Sequence, residues 1–379
     1  MPLPFNHLQM VSTLSENGEL KVQLVERDVP ELKPSQILVR VEAAPINPSD
    51  LGVMIGRHGI SDGFTTGTGA STTFTAKVSD AALKAMTARI GKRLPVGNEG
   101  AGTVVAAGED DYAQSLIGRT VAIVGGGKGM YCQYRAVEAD VALPLLEGQS
   151  AKDGASSFVN PMTSLSFVET MKMEGHSAIV QTAAASNLGQ MLVRICAADG
   201  IDLVNIVRKP EQVELLRKMG AKHVVNSFED SFLDDLTDAV HETGATIAFD
   251  AIGGGSMASD ILTSMERAAA RTPGKYSIYG STKPKQVYTY GNLDQSPTIL
   301  TRAYGSKWSV GVLLLTSFLA SAGKETTARL RARVVAELKT TFVSHYTAEI
   351  SLEEALQSDV VERYVAKATG EKYLICPAK

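Results

Sequence analysis

The feature that most restricts the fold of this chain is an alternation, from His176 to Val312, of six short apolar runs with helical patterns. The runs are SAIVQT (177–182), DLVNIV (202–207), KHVVNS (222–227), TIAFDAI (246–252), KYSIYGS (275–281) and KWSVGV (307–312). Runs of this length with helix-length spacers are how βαβ units of a parallel sheet read. Between the first two, Leu188, Met191, Leu192, Ile195 and Cys196 recur at helical spacing, which places Cys196 in the core. PEQVELLRKMG (210–220) offers Pro210 for a first helical turn and Gly220 for a stop. Six strands so connected make a complete doubly wound parallel sheet.

The flanks follow another pattern. Residues 8–145 hold strand-like stretches (QILVRVEAA, AGTVVAAG, RTVAIVG) separated by Gly, Pro and Asn, which predicts a mostly antiparallel β domain. Residues 317–379 hold a helix over about 326–342, a second helix opened by SLEEAL, and a strand YLICP. That tail has too little core to stand alone and is expected to rejoin the N-terminal part. At 379 residues two domains are expected: 1–155 with 317–379, and 156–316 inserted between them. Residues 60–94, rich in Gly, Ser and Thr and then helical in pattern, read as a surface insertion or as a lid.

Charge and composition narrow the partners. A formal net charge of -4 gives no electrostatic footprint for nucleic acid or an anionic membrane, so a small-molecule substrate is expected. No apolar run is long enough to span a bilayer, and MPLPFNHLQM lacks the basic flank and apolar stretch of a secretory signal, so a cytoplasmic protein is expected. Three well-separated cysteines, Cys132, Cys196 and Cys376, build neither a disulfide framework nor a cysteine-rich zinc lobe.

The first strand of the alternation leads through TAAASNLGQ (182–190) into a helix, where helix N-terminal amides and the helix dipole stabilise a pyrophosphate. Ala183, Ala185 and Asn187 stand where glycines are common, and only Gly189 remains. Because Asn tolerates the left-handed conformation, Asn187 is expected to hold the turn. The candidate pyrophosphate residues are Ala185, Ser186, Asn187, Leu188 and Gly189. After the second strand come Arg208 and Lys209, where a site for NADH would offer an acidic residue to the ribose hydroxyl. A cationic pair favours a 2′-phosphate and hence NADPH. Ligands of open parallel sheets bind outside the strands' carboxyl ends, which nominates Ile252, Tyr279, Gly280, Ser281 and Trp308 as further cofactor contacts.

Together with these residues, APINPSDL (44–51), LPVGNEGAG (94–102), VNPMTS (159–164) and NIVRKPE (205–211) give the chain a resemblance to the medium-chain dehydrogenase/reductase superfamily. It resembles most the zinc-free quinone oxidoreductases of the zeta-crystallin kind and the 2-enoyl thioester reductases. The resemblance implies a Rossmann domain beside a GroES-like catalytic domain. In the zinc alcohol dehydrogenases of this superfamily a Cys, a His and a Cys hold the catalytic metal; the matching positions look like Asn47, Asn98 and Asn160, and no metal is expected. What it implies is an NADPH-dependent oxidoreductase that passes hydride to a quinone or an activated C=C. A zinc-independent carbonyl reductase or alcohol dehydrogenase, and a noncatalytic NADPH-binding protein, are the alternatives. Where enoyl reductases carry a proton-donating tyrosine, this chain has His58, a candidate acid or oxyanion donor. The resemblance places Asn47 and Thr163 near the nicotinamide as catalytic candidates, with Asn160 and Thr163 among the cofactor contacts; for Asn47 the alternative is a local cap in a Pro-rich turn. It also implies a homodimer, paired through residues 301–315.

Overall fold

A computed structural model describes residues 4–56, 59–271, 277–366 and 370–379. The chain divides into two compact units, Met1–Val159 with Arg331–Lys379, and Asn160–Leu330. The return to the first unit therefore comes later than residue 317, beyond Gly323, whose backbone (φ 82°) interrupts the helical segment Leu315–Ala336.

The first unit is built on two sheets. Strands Asn6–Leu14 and Glu19–Asp28 form a long antiparallel pair. On Glu19–Asp28, Leu20, Val22 and Leu24 are buried while Lys21 is exposed, because alternate side chains point to opposite faces. Residues 60–94 extend this sheet: Ser61–Thr66 pairs with Thr73–Lys77, which pairs with Glu19–Asp28. Phe74 anchors that hairpin at 2% exposure, and Ser79 caps the helix Asp80–Ala85 by accepting the Ala82 N–H at 3.2 Å. The segment is thus an integral part of the sheet. In the second sheet Gln36–Pro45 is central, flanked by Glu99–Ala107, Tyr134–Glu138 and, from the tail, Tyr373–Ile375. Tyr373–Ile375 also runs parallel to Ala348–Ile350, so the tail completes the sheet as its hydrophobicity required.

The second unit is the doubly wound parallel sheet. Its strand order is His223–Asn226, Asp202–Val207, Ala178–Gln181, Ile247–Asp250, Lys285–Thr289, Trp308–Val312, the 3-2-1-4-5-6 arrangement of a Rossmann fold. Phe167 stacks on Phe249 with ring centroids 4.1 Å apart, and Val180, Val204, Ala248 and Val287 fill the core between the layers. Five of the six expected runs coincide with these strands. The fifth, KYSIYGS, does not: its described part precedes the strand that forms at Lys285–Thr289. An inner strand of a parallel sheet is covered on both faces. Val287 meets that condition at 0% exposure, whereas Ile278 and Tyr279 are 75% and 73% exposed.

Candidate functional site

In the second unit the parallel register sets the carboxyl ends of three strands side by side, Gln181 opposite Asn205 and Phe249. The chain leaves the first of these through Thr182 and Ala183 into the helix Asn187–Asp199. The left-handed residue of this turn is Ala183 (φ 49°), whereas Asn187 is the first helical residue. The expectation for Asn187 is thereby corrected: the reversal comes before the helix, and an Ala tolerates it at the strain cost of its Cβ. Ser186 is the N-cap and its Oγ accepts the Gly189 N–H at 3.1 Å. A Cβ on Gly189 would lie 2.3 Å from the Ala184 carbonyl oxygen, so close packing of helix on turn excludes a side chain there. Ala185 and Leu188 are buried in the same turn.

Arg208 and Lys209 follow the second strand. Both are exposed; the Arg208 guanidinium has no ion-pair partner among the described residues, and Lys209 lies 3.7 Å from Glu211 in a solvent-exposed pair. Ile252 follows the fourth strand, where Asp250, fully buried, organises the exit. Its Oδ1 accepts from Thr182 Oγ1 (2.7 Å) and the Ile252 N–H (2.9 Å), and its Oδ2 accepts the Gly253 N–H at 3.0 Å. The same carboxylate thus ties two strand ends together and shapes the glycine run beyond.

Tyr279, Gly280, Ser281 and Trp308 are not on this edge. They precede or begin strands, which puts them at the amino end of the sheet. Glu266 accepts from the Ser281 N–H (2.8 Å) and Ser281 Oγ (2.6 Å), while the buried Lys285 Nζ sits 2.7 Å from Glu266 and donates to Ser281 Oγ at 2.8 Å. Trp308 meets Tyr304 edge to face at 5.0 Å. These residues close the bottom of the sheet: for Tyr279, Gly280 and Ser281 the strand was read one segment too early, and Trp308 is the first residue of its strand, not its carboxyl end.

Helix Val159–Met173 carries Asn160, which is buried, and Thr163, which is half-buried. His58 lies outside the described residues. In the first unit Asn47 is 1% exposed and holds the position before the helix Pro48–Met54; its N–H donates to Asp50 Oδ2 at 2.7 Å, while its own Oδ1 has no hydrogen-bond partner among the described residues. Its Nδ2 also donates to Glu99 Oε1 at 2.9 Å, and Asn98 Nδ2 donates to Ser49 Oγ at 3.0 Å. Glu99 Oε2 accepts the Phe158 and Val159 N–H groups at 2.7 and 2.9 Å.

Sequence reasoning passed over the charged part of this cluster. Burial pushes the Asp50 carboxyl up to about 7, aided by the neighbouring Glu99, against the N–H groups of Asn47 and Asn98 and the Tyr131 hydroxyl. Glu99, at 0% exposure, is also pushed up by burial, with Lys372 and its three N–H donors pulling it down. Lys372 is itself lowered to about 8 by burial, opposed by Glu99 and Asp50; its Nζ donates to Ser156 Oγ at 2.9 Å. The Asn47-x-x-Asp50 spacing signals a cap, and Glu99 is a carboxylate heading an apolar strand; nothing local marks Lys372. Among the described residues, no group of three or more His, Cys, Asp or Glu side chains is placed to hold a metal ion, and no helix is long and apolar enough to cross a membrane.

A Rossmann sheet with a capped, tightly packed strand-to-helix turn, joined in one chain to a sheet-rich unit formed by both termini, defines the two-domain dehydrogenase architecture. The comparisons agree with it. The zinc-binding dehydrogenase family profile matches residues 187–310. The mitochondrial enoyl-[acyl-carrier-protein] reductase of Xenopus tropicalis is 28% identical over 198 residues, 50% of this chain and 48% of that protein. The match thus spans about half the length of this curated relative. Over its full length the chain superposes on a candidate NADPH:quinone reductase of Mesorhizobium loti, with 25% identity, a TM-score of 0.74 and 100% of both chains covered. The Etr1p complex with NADP and crotonyl-CoA has the same fold, with a TM-score of 0.68, 18% identity and coverage of 98% of this chain and 100% of that one. These similarities are to members of the medium-chain dehydrogenase/reductase superfamily and support placing the chain among them.

Proposed function

We propose that the protein is an NADPH-dependent reductase of a quinone or an activated alkene that works without zinc. The observation that carries this reading is the pairing, on one sheet edge, of the Ser186-capped helix start with the exposed Arg208 guanidinium, which has no ion-pair partner among the described residues. The first turn of Asn187–Asp199 directs N–H groups and the positive end of the helix dipole at a pyrophosphate. Arg208 and Lys209, just past the neighbouring strand, hold the 2′-phosphate, and Ile252 lies against the nicotinamide half. When bound, NADPH supplies a hydride. The relatives support this choice of cofactor: one structure is a candidate NADPH:quinone reductase and another contains NADP.

Zinc does not fit the three positions. Asn47 and Asn98 spend their amide N–H groups on Glu99 and Ser49, and an amide offers neither thiolate nor imidazole. The profile match at 187–310 lies within the second unit and includes none of the three positions. Without a Lewis acid, the work left to the protein is to orient the acceptor, exclude water and donate hydrogen bonds to the oxygen that gains charge. Asn47 is rigid enough for a positioning part, being tied to both Asp50 and Glu99. The strand Trp308–Val312 forms one edge of the sheet, with Val312 67% exposed, which supports a homodimer joined along residues 301–315.

The test is a fluorescence titration with NADPH and NADH, followed by turnover of a quinone, an alkenal and an aldehyde by metal-free protein. Preference for NADPH with reduction of the first two is expected. Failure to bind either nucleotide, or turnover that requires added zinc, overturns the proposal. Reduction of the aldehyde alone replaces it with a carbonyl reductase.

A further inference from the structure

The two proposed phosphate anchors leave neighbouring strands of the second unit: the helix Asn187–Asp199 follows Ala178–Gln181, and Arg208 follows Asp202–Val207. These two strands carry a pair of amides in an otherwise apolar interior. Gln181 and Asn205 stand opposite each other in the parallel register, at 0% and 1% exposure. Side chains two residues away share a face, and there Ile179, Leu203 and Val207 are buried and apolar. Gln181 Nε2 donates to Asn205 Oδ1 at 2.7 Å and to the Gly189 carbonyl at 3.2 Å. Asn205 Nδ2 donates to the Leu203 carbonyl at 3.2 Å and, on the next strand, to the His223 carbonyl at 3.0 Å. Both hydrogens of each amide therefore have an acceptor, and one hydrogen-bonded line runs from the first turn of the helix across to His223–Asn226.

Stability alone does not account for this line. Gln181 Oε1 is buried and has no hydrogen-bond partner among the described residues, a desolvation cost that two apolar side chains of similar shape would avoid. The turn is also held without it, by the Ser186 cap and by the Ala184 N–H, which donates to the Ile206 carbonyl at 3.2 Å. What the line adds is a side-chain tie between the helix start and the strand that leads to Arg208. At the far end of that strand Gln212 Oε1 accepts the Arg208 N–H at 3.1 Å and pins the backbone there.

We infer that Gln181 and Asn205 are positioning residues for cofactor selectivity: they fix the offset between the pyrophosphate-binding helix start and Arg208, so that a dinucleotide bearing a 2′-phosphate meets both anchors at once. This rests on the NADPH reading above and names the residues that set its preference. A ligand held at two points gains affinity when those points are spaced for it beforehand. NADH lacks the 2′-phosphate, uses only the helix start of the two anchors, and is indifferent to the spacing.

The experiment measures NADPH and NADH affinity by fluorescence titration in wild type, Gln181→Met, Asn205→Leu and the double variant, each with and without Arg208→Ala, alongside thermal unfolding. Each single variant strands a buried partner and lowers Tm, whereas the double variant removes both and recovers most of the loss. Expected in all three is a fall in NADPH affinity of about 10-fold, undiminished in the double variant, with NADH affinity within about twofold of wild type. The cost of Arg208→Ala should shrink from about 10- to 100-fold in wild type to about threefold in the double variant. Because coupling is reciprocal, NADPH must in turn strengthen the line, so in wild type the side-chain amide protons of Gln181 and Asn205 should exchange more slowly with NADPH bound than with NADH. That measurement by NMR needs no variant and stands even where a substituted protein does not fold.

Selectivity that recovers together with Tm, parallel loss of both nucleotides, an Arg208→Ala cost equal in the two backgrounds, or equal amide protection by both nucleotides overturns the inference. Wild type that prefers NADPH, with the preference intact in the double variant, sinks this inference alone. Wild type that binds neither nucleotide, or binds NADH as tightly as NADPH, sinks the cofactor reading beneath it.

Discussion

Replacing Lys285 by Met tests whether Ser281 and its neighbours brace the sheet or touch the cofactor. The Lys285 side chain is 0% exposed and its Nζ has three acceptors: Glu266 at 2.7 Å, Ser281 Oγ at 2.8 Å and the Lys283 carbonyl at 3.1 Å. Met nearly matches its volume, so the loss is electrostatic. Removing one member of a buried pair costs about 3–5 kcal/mol, because the other charge is left unpaired. Glu266 is 16% exposed and keeps two donors from Ser281, which moves the expectation to the lower end, about 3 kcal/mol. For a unit of this size that is a fall in Tm of about 6–12 °C. Calorimetry measures it, and the single tryptophan, Trp308, paired with Lys285 across the ladder, reports it by fluorescence. Lys285→Met with Glu266→Gln should recover most of the loss, since the Gln amide can both accept from and donate to Ser281. Although burial would raise the Glu266 carboxyl, Lys285 and Ser281 hold it below its ordinary value. Its contribution to stability is therefore present above the ordinary carboxylate range and lost as pH falls through the lower folded value, and Lys285→Met should flatten that acid limb. NADPH affinity should not change, because the pair lies at the amino end of the strands. A Tm within about 2 °C of wild type, or a tenfold loss of NADPH affinity, would refute the reasoning.

Gly189→Ala forces a Cβ to within 2.3 Å of the Ala184 carbonyl, which is backbone and cannot yield; a loss of about 1–3 kcal/mol in urea unfolding and weakened NADPH binding are expected. Arg208→Ala should weaken NADPH by about 10- to 100-fold, the worth of one charge-assisted contact, while NADH binding stays level in parallel titrations. Because Asp50 is raised to about 7 from an ordinary value near 3.9, its stabilising contribution is complete below the latter and lost as pH rises through the former. Urea midpoints of wild type should accordingly decline relative to Asp50→Asn over that interval, and a wild type that gains on the variant as pH rises contradicts the assignment.

The sheet was legible because its strands are covered on both faces and read as unbroken apolar runs: DLVNIV became Asp202–Val207 without shifting an end. KYSIYGS misled for the same reason, since apolar and aromatic content alone cannot distinguish an inner strand from exposed residues that precede one; the inner strand begins at Lys285, where ladder pairing and burial start. At the dinucleotide turn the sequence shows that a reversal is needed but not which residue makes it. Asn187 is the better left-handed residue by propensity, yet Ala183 takes that conformation because the Ser186 cap and the contact of Gly189 with Ala184 fix the helix start after it.

The cluster in the first unit was illegible for a different reason. Asn47 with Asp50, Glu99, Tyr131 and Lys372 come from four separated places in the chain, and nothing local marks the last three. What gives them chemistry is shared desolvation: an acid lifted by burial, a second carboxylate held by three N–H groups, and a lysine lowered in the same interior. Asn47 and Asn98 bring to this unit amides, which supply neither a thiolate nor an imidazole.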